Sequence, residues 1–451
     1  MHSVWLQLLK PTVIVGVLMA NVALPKFPVA APEQNSQATA ALPKVETLAE
    51  LYRLRDRLGV ELSHYPTVMV ATRSGVEPPP TDILTQLGTV NYRLQQEETA
   101  QQLQQRAEQA AAAAIALGNP ASLSAPELAT AHTYWEQAVA ALNQIPPDTF
   151  AEAQAAAQKQ QYEQQQAIAA YHYDTARSAF LKPIVEETGL ASRVRLTVCS
   201  LQRECRRWQG HLPPASPASL IKVPVAIALM TKLHQEGTAP STAIWVSPSN
   251  WTEDAGSIWV STEYPLEQIM ADMISASGNI ATNQLIDYMG WDGVNQGLRS
   301  RGYQATRVST KLVGESTYPA NAGSAPNRIT TDELTDMMVA IYNREFPGAD
   351  LIEAALAAQR DRNLGHAVAD PPIGWLGEKT GRNSKVLGTT TAVSVGNQHY
   401  IITATLNHSA NEAAIQSIVA GVIQHLRTHN GFEQGSARGE DIATRPRTFL
   451  P

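Results

Sequence analysis

Cysteine is nearly absent from this chain of 451 residues, with Cys199 and Cys205 the only two. Two thiols make no disulfide framework, and they stand in no CxxC or Cys/His pattern that would hold zinc, so no structural metal is expected. A basic excess is missing too. Lys and Arg number 34 against 41 Asp and Glu, a net charge of 34 − 41 = −7, and no basic block is present, which argues against a nucleic-acid partner. Long apolar runs are confined to the N-terminus, where Thr12 to Leu24 follow Lys10 and Pro11. That run has the length of a signal-peptide core and falls short of the roughly 20 residues that span a bilayer. Histidines lack an Asp partner at useful spacing, so a Ser-His-Asp triad is not expected.

What is present is a chain long enough for two or three folded units, with 44% hydrophobic residues. Residues 1–31 read as a signal peptide with a small-residue site at Val29 to Ala31, or as an uncleaved N-terminal anchor. Export to the periplasm or cell envelope, secreted or anchored, is the expected localisation. In an oxidising compartment Cys199 and Cys205 can pair across a hairpin, and two buried thiols explain them equally well. Residues 32–44, rich in Pro, Ala and Gln, form a linker.

Residues 45–181 are expected to form an α-helical domain or spacer. Leu48, Leu51, Leu54 and Leu58 recur at helical spacing, and residues 91–180 contain 25 Ala and 16 Gln, a strong helix-former bias. Breaks at Gly118 to Pro126 and Pro146 to Thr149 divide this region into helices near 84–117, 125–144 and 149–181. Near Leu190 the texture changes. Alternation over Arg193 to Cys199, and again over Thr389 to Val395 and Tyr400 to Leu406, predicts strands at both ends of a second domain, 185–430, around a helical middle. The expected fold class is α+β, one antiparallel sheet built from both ends of this segment with helices on its faces. A last amphipathic helix is expected from about Asn411 to Thr428, and residues 431–451 are expected to be a disordered tail.

Three short motifs lie in the second domain. Ser219-Leu220-Ile221-Lys222 opens a helix, so Lys222 projects on the face of Ser219. A serine hydroxyl becomes a nucleophile when a neighbouring base takes its proton, and a lysine in cationic or apolar surroundings can be that base. Ser277-Gly278-Asn279 falls in a break between helices, and Lys379-Thr380-Gly381 precedes the sheet strands. Singly, each reads as a helix start, a capping turn and a surface turn. Their order and separations, 58 residues and then 102, match the S-x-x-K, S-x-N, K-T-G pattern of the penicillin-recognising serine enzymes.

On these motifs residues 185–430 resemble the class A β-lactamase catalytic domain. The resemblance implies an antiparallel sheet packed on an all-helical lobe, preceded here by the Ala/Gln-rich helices. It implies Ser219 as the acylated nucleophile, with the backbone N–H groups of Ser219 and Arg382 as oxyanion hole, and Lys222 as its base. Ser277 would relay a proton to the leaving nitrogen. Lys379, assisted by Thr380, would polarise that relay and attract a substrate carboxylate, and Asn279 would bind the acyl side-chain amide. Gly381 belongs to the same substrate-binding strand, and the resemblance implies no metal and no cofactor.

The chain also departs from the family. Glu315 lies 38 residues after Ser277 and 15 before Thr330, where the family's deacylating glutamate falls, and it reads either as that base or as a solvated loop carboxylate. Pro319 stands where the family holds water with Asn, and Tyr318 replaces the Leu before it. Gly278 replaces an Asp, as in D-alanyl-D-alanine peptidases. The leading expectation is therefore a β-lactamase-type serine hydrolase opening β-lactam amides through Ser219. The alternative is a D,D-peptidase or related cell-wall amidohydrolase that β-lactams acylate, with a peptidoglycan peptide as substrate. A third reading is a non-catalytic wall-binding module. The catalytic domain is expected to be monomeric.

Overall fold

The computed structural model describes residues 43–65, 81–369 and 373–433. The expected signal or anchor, nearly all of the linker, and residues 434–451 of the expected tail lie outside the described residues. The chain divides into two compact units, 1–91 and 92–451. The first contains helix α1 (Leu48–Ser63), started by Thr47, whose hydroxyl accepts the Glu50 N–H at 3.3 Å, and burying Leu51, Leu54 and Leu58. It also holds the first turns of α2 (Thr81–Ala116), which crosses the unit boundary.

In the second unit the rest of α2 packs with α3 (Ala125–Asn143) and α4 (Glu152–Ala176). Ala111, Ala114, Ala131, Ala138 and Ala169 surround Trp135, small side chains that let helix backbones approach around one large ring. Glu127 closes a capping box on Ser124 at the start of α3. Helix α5 (Leu181–Glu186) leads into the hairpin β1 (Val194–Ser200) and β2 (Cys205–Trp208), in which Cys199 and Cys205 stand opposite one another and form a disulfide.

Next come α6 (Lys222–Glu236), the short strands β3 (Ala243–Trp245) and β4 (Glu263–Pro265), then α7 (Leu266–Ser275), α8 (Asn279–Arg299), α9 (Thr331–Tyr342) and α10 (Ala349–Ala357). The chain ends with β5 (Gly374–Asn383), β6 (Val386–Val395), β7 (Gln398–Asn407) and α11 (Glu412–His429). Strands from both ends form one antiparallel sheet in the order β2-β1-β7-β6-β5, which is the α+β architecture expected from the sequence. On one face α11 buries Ile415, Ile418, Val419, Val422 and Leu426 against Leu196, Val393, Ile402 and Leu406. Each such burial is worth about 1.5–3 kcal/mol. The other face carries threonines, among them Thr197, Thr390 and Thr403, and meets the helical lobe whose core runs through α6 to α10.

Two features differ from the sequence expectation. Helix α4 docks on the hairpin: Asp174, fully buried, accepts the Cys205 N–H at 3.1 Å and sits 3.7 Å from both Arg206 and Arg207, while the Tyr171 hydroxyl donates to Asp332 at 3.2 Å. The Ala/Gln-rich helices from Tyr92 onward thus belong to the same compact unit as the sheet. Second, the chain from 431 to 433 is not free. Phe432 is buried against Tyr400 and Phe180 beneath the Arg206 guanidinium, because an aromatic ring there covers the end of the α11 face.

Candidate active site

Ser219 lies in a single 3-10 turn, Ala218–Ile221, that runs directly into α6. Ala218 before it adopts φ +45°, a left-handed conformation costly for a residue with a Cβ and held here by its surroundings. Gly381 on the edge strand β5 passes this turn so closely that a Cβ would stand 2.9 Å from Leu220 N and 3.2 Å from Pro217 O. Glycine is required for that approach. It brings Arg382, the next residue of β5, beside the turn that carries Ser219, the arrangement an oxyanion hole of their two N–H groups needs.

Lys222 begins α6 and is fully buried. Its Nζ lies 3.2 Å from Ser277 Oγ and 3.0 Å from Asn279 Oδ1, and it also donates to the Ser277 carbonyl. Ser277 occupies the turn between α7 and α8 with φ +60°. Lys379, also fully buried, places its Nζ 3.1 Å from the same Ser277 Oγ and 2.9 Å from the Thr380 carbonyl. The structure therefore joins Lys222, Ser277, Asn279 and Lys379 through one set of contacts, and Gly381, between Thr380 and Arg382 on the same strand as Lys379, packs against the turn that carries Ser219.

Burial, and then the neighbouring Lys379 charge, hold the Lys222 ammonium well below the usual lysine range, against the opposing pull of Asp254 and Asp272. Burial lowers Lys379 to about 7, with Asp361 and Glu378 opposing. Glu378 beneath it is itself raised by burial, although it accepts N–H groups from Gly365 and His366 and the indole of Trp375. A lysine pair of this kind is partly neutral near pH 7, the state in which an amine can take a proton from a hydroxyl.

Glu315 stands apart. Its side chain is exposed, and the residue joins the site region through its backbone N–H, which donates to Glu253 at 3.1 Å. Glu253 is the carboxylate that organises this loop. It also accepts the N–H groups of Ser316 and Thr317 and both their hydroxyls, which hold it far below the usual carboxylate range. Asp254 next to it caps α8 by accepting the Asn279 and Ile280 N–H groups at 2.7 and 2.8 Å, fixing Asn279 for Lys222.

Sequence reasoning missed Glu253 and Asp254, because an acidic pair in a loop has no distinguishing spacing. It also missed Asp272. Its carboxylate takes two hydrogen bonds from Ser257 at 2.6 Å, and its Oδ2 fills the place that a Cβ on Gly278 would enter. A carboxylate is thus retained at the second motif despite Gly278. Trp245, Trp251 and Trp259 are exposed. Among the described residues no group of three His, Cys, Asp or Glu side chains could hold a metal ion, and no helix is long and apolar enough to cross a membrane.

Residues 211–426 match the model of the beta-lactamase enzyme family. No curated protein sequence matches the chain. Among solved structures, a beta-lactamase from Sphaerobacter thermophilus is 24% identical, covering 55% of this chain and 96% of that one with a TM-score of 0.48. A penicillin G acyl-enzyme complex of a PBP-A variant is 20% identical over 55% and 97%, with a TM-score of 0.48. A class A beta-lactamase representative from Bacteroides cellulosilyticus is 17% identical over 56% and 99%, with a TM-score of 0.47. The family-model match over residues 211–426 spans all three motifs, from Ser219 and Lys222 through Ser277 and Asn279 to Lys379 and Gly381.

Proposed function

We propose that this protein is a serine amidohydrolase that opens amides, the β-lactam amide among them, through an acyl-enzyme on Ser219. The observation that carries this reading is the convergence of two buried lysines with lowered pKa on one hydroxyl, Ser277, one of them Lys222 from the helix that the Ser219 turn opens. Neutral Lys222 takes the Ser219 proton as Oγ attacks the carbonyl carbon. The oxyanion collects at the N–H groups of Ser219 and Arg382. As the C–N bond breaks, the proton passes through Ser277 to the leaving nitrogen, with Lys379 polarising the relay and Asn279 orienting the acyl side chain. Water then cleaves the ester and restores Ser219.

The peptidase reading is favoured over fast lactam turnover by Glu315, whose side chain is open to solvent. Glu253 is saturated with donors and too weak a base to replace it. We place the protein in the cell envelope, exported and either secreted or anchored through its N-terminus. The Cys199 to Cys205 disulfide supports an oxidising compartment.

Intact-protein mass after mixing with benzylpenicillin tests the proposal, with Ser219→Ala alongside and lactam loss followed in the same tube. A lasting adduct on the native protein and none on the variant identifies a slowly deacylating, peptidase-like enzyme. Rapid Ser219-dependent lactam loss identifies a β-lactamase. Folded protein that shows neither overturns the reading for penicillin.

A further inference from the structure

The groups placed to receive a carboxylate beside Lys379 already hold one. Thr380, on β5 one residue beyond Lys379, is nearly buried, and its Oγ1 donates to Asp361 Oδ2 at 3.0 Å. The Arg382 guanidinium donates to the same oxygen at 3.3 Å. Its other arm lies 2.7 Å from Glu412. One carboxylate oxygen bound between a hydroxyl and a guanidinium is the geometry an incoming anionic substrate would need. We propose that Asp361 occupies the anion-recognition groups of this site and sets its specificity toward substrates with a neutral or cationic group on the amine side of the scissile bond. This deepens the acyl-transfer reading of the Ser219 site and rests on it.

The charge count supports the assignment. Arg382 faces two carboxylates, Asp361 and Glu412, and Lys379 is only partly charged near pH 7. A second carboxylate entering there meets no uncompensated cation. It must displace Asp361 from both donors and then lie beside it, and like charges in a partly desolvated cleft repel strongly. A primary amide in the same place loses that repulsion, and its N–H groups can donate to Asp361. The donors are inside the site: Lys379 touches Ser277, and Gly381, between Thr380 and Arg382, packs on the Ser219 turn. Gln359 adds a further, longer contact to the Thr380 hydroxyl at 3.4 Å, so the position of Thr380 is set from two sides.

The test uses binding and acylation separately, on the full chain. A diacylated tripeptide ending in D-Ala-D-Ala and its C-terminal amide are titrated by calorimetry into the Ser219→Ala protein, with and without Asp361→Asn. The same peptides and benzylpenicillin with its methyl ester are then followed for Ser219 adducts on the protein with an intact serine. We expect the amide and ester to be preferred over the free acids by at least about tenfold, and Asp361→Asn to erase or reverse that preference, because the variant removes the competing charge and keeps the side-chain shape. Preference for the free acids, equal affinity, or no binding of either peptide overturns the proposal, and the comparison on unmutated Asp361 stands even if the variant fails to fold. Preferred binding of the amide with no adduct on Ser219 would keep the specificity assignment and sink the acyl-enzyme reading alone.

Discussion

Lys222 and Lys379 share one acceptor: their Nζ atoms lie 3.2 and 3.1 Å from Ser277 Oγ. They come from different elements, the start of α6 and the edge strand β5, and both are fully buried. A hydroxyl between two ammonium groups has no partner for its own proton, so the arrangement is satisfied when one amine is neutral and accepts it. Burial lowers both lysines toward that state, and the Lys379 charge adds to the effect on Lys222.

Acylation is therefore predicted to rise with pH and to reach its plateau below the ordinary lysine value of about 10.4. Second-order rates of adduct formation with benzylpenicillin, measured from pH 5 to 10, check this. A rate independent of pH, or one rising only near the ordinary lysine value, would remove Lys222 as the base.

Stability should carry the same signature. Lys379 in the folded protein loses its proton at about 7, whereas the unfolded chain keeps it up to the ordinary lysine range, so unfolding free energy rises with pH between those two values. Lys379→Met removes that contribution. The variant should be more stable than the native protein at pH 7, on the order of 1–3 kcal/mol, with the gap narrowing toward pH 10. Urea unfolding at the two pH values reads it, and an equal gap at both would refute the assignment.

Gly381→Ala should damage both fold and chemistry. The new methyl would stand 2.9 Å from Leu220 N, backbone that cannot move aside without shifting the Ser219 turn. We expect a loss of about 1–3 kcal/mol in stability and of about tenfold or more in acylation. Thermal unfolding and adduct kinetics measure the two, and an unchanged acylation rate would show that β5 does not position the oxyanion hole.

The two loop glutamates should behave differently. Glu315→Gln is expected to leave deacylation within about threefold of the native rate, since its side chain is open to solvent. Glu253→Ala removes the acceptor of three backbone N–H groups at residues 315–317, so those amides should exchange with solvent faster. Adduct lifetimes and hydrogen exchange report the pair. A deacylation rate that collapses in Glu315→Gln would restore that residue as the base.

The seam between α4 and the hairpin rests on Asp174. Replacing it with Ala leaves Arg206 and Arg207 in a buried cluster short of one negative charge and the Cys205 N–H without its acceptor. A loss of about 3–5 kcal/mol is expected in denaturant unfolding. A change under about 0.5 kcal/mol, the usual size for an exposed substitution, would show the seam to be dispensable.

Local patterns were legible where local physics decides. The apolar spacing of Ile415, Ile418, Val419 and Val422 marked α11, and alternation marked β1, β6 and β7, because periodicity records which face is buried. The strand nature of Lys379 to Arg382 was less visible, since Gly381 is there for a close approach and not for strand propensity.

By itself the sequence determined the three motifs, their order on a helix start, an interhelical turn and a sheet edge, and so the chemistry that serine and lysine can perform together. Only the tertiary structure decided which charges face one another. It set both lysines on Ser277, turned Glu315 to solvent, put Asp272 in the space left by Gly278 and seated Asp361 on Thr380 and Arg382. The reason is physical: a carboxylate's role depends on the donors and dielectric around it, and those are brought together, across separations from 6 residues for Asp272 and Gly278 to 102 for Ser277 and Lys379, by packing that no local spacing records.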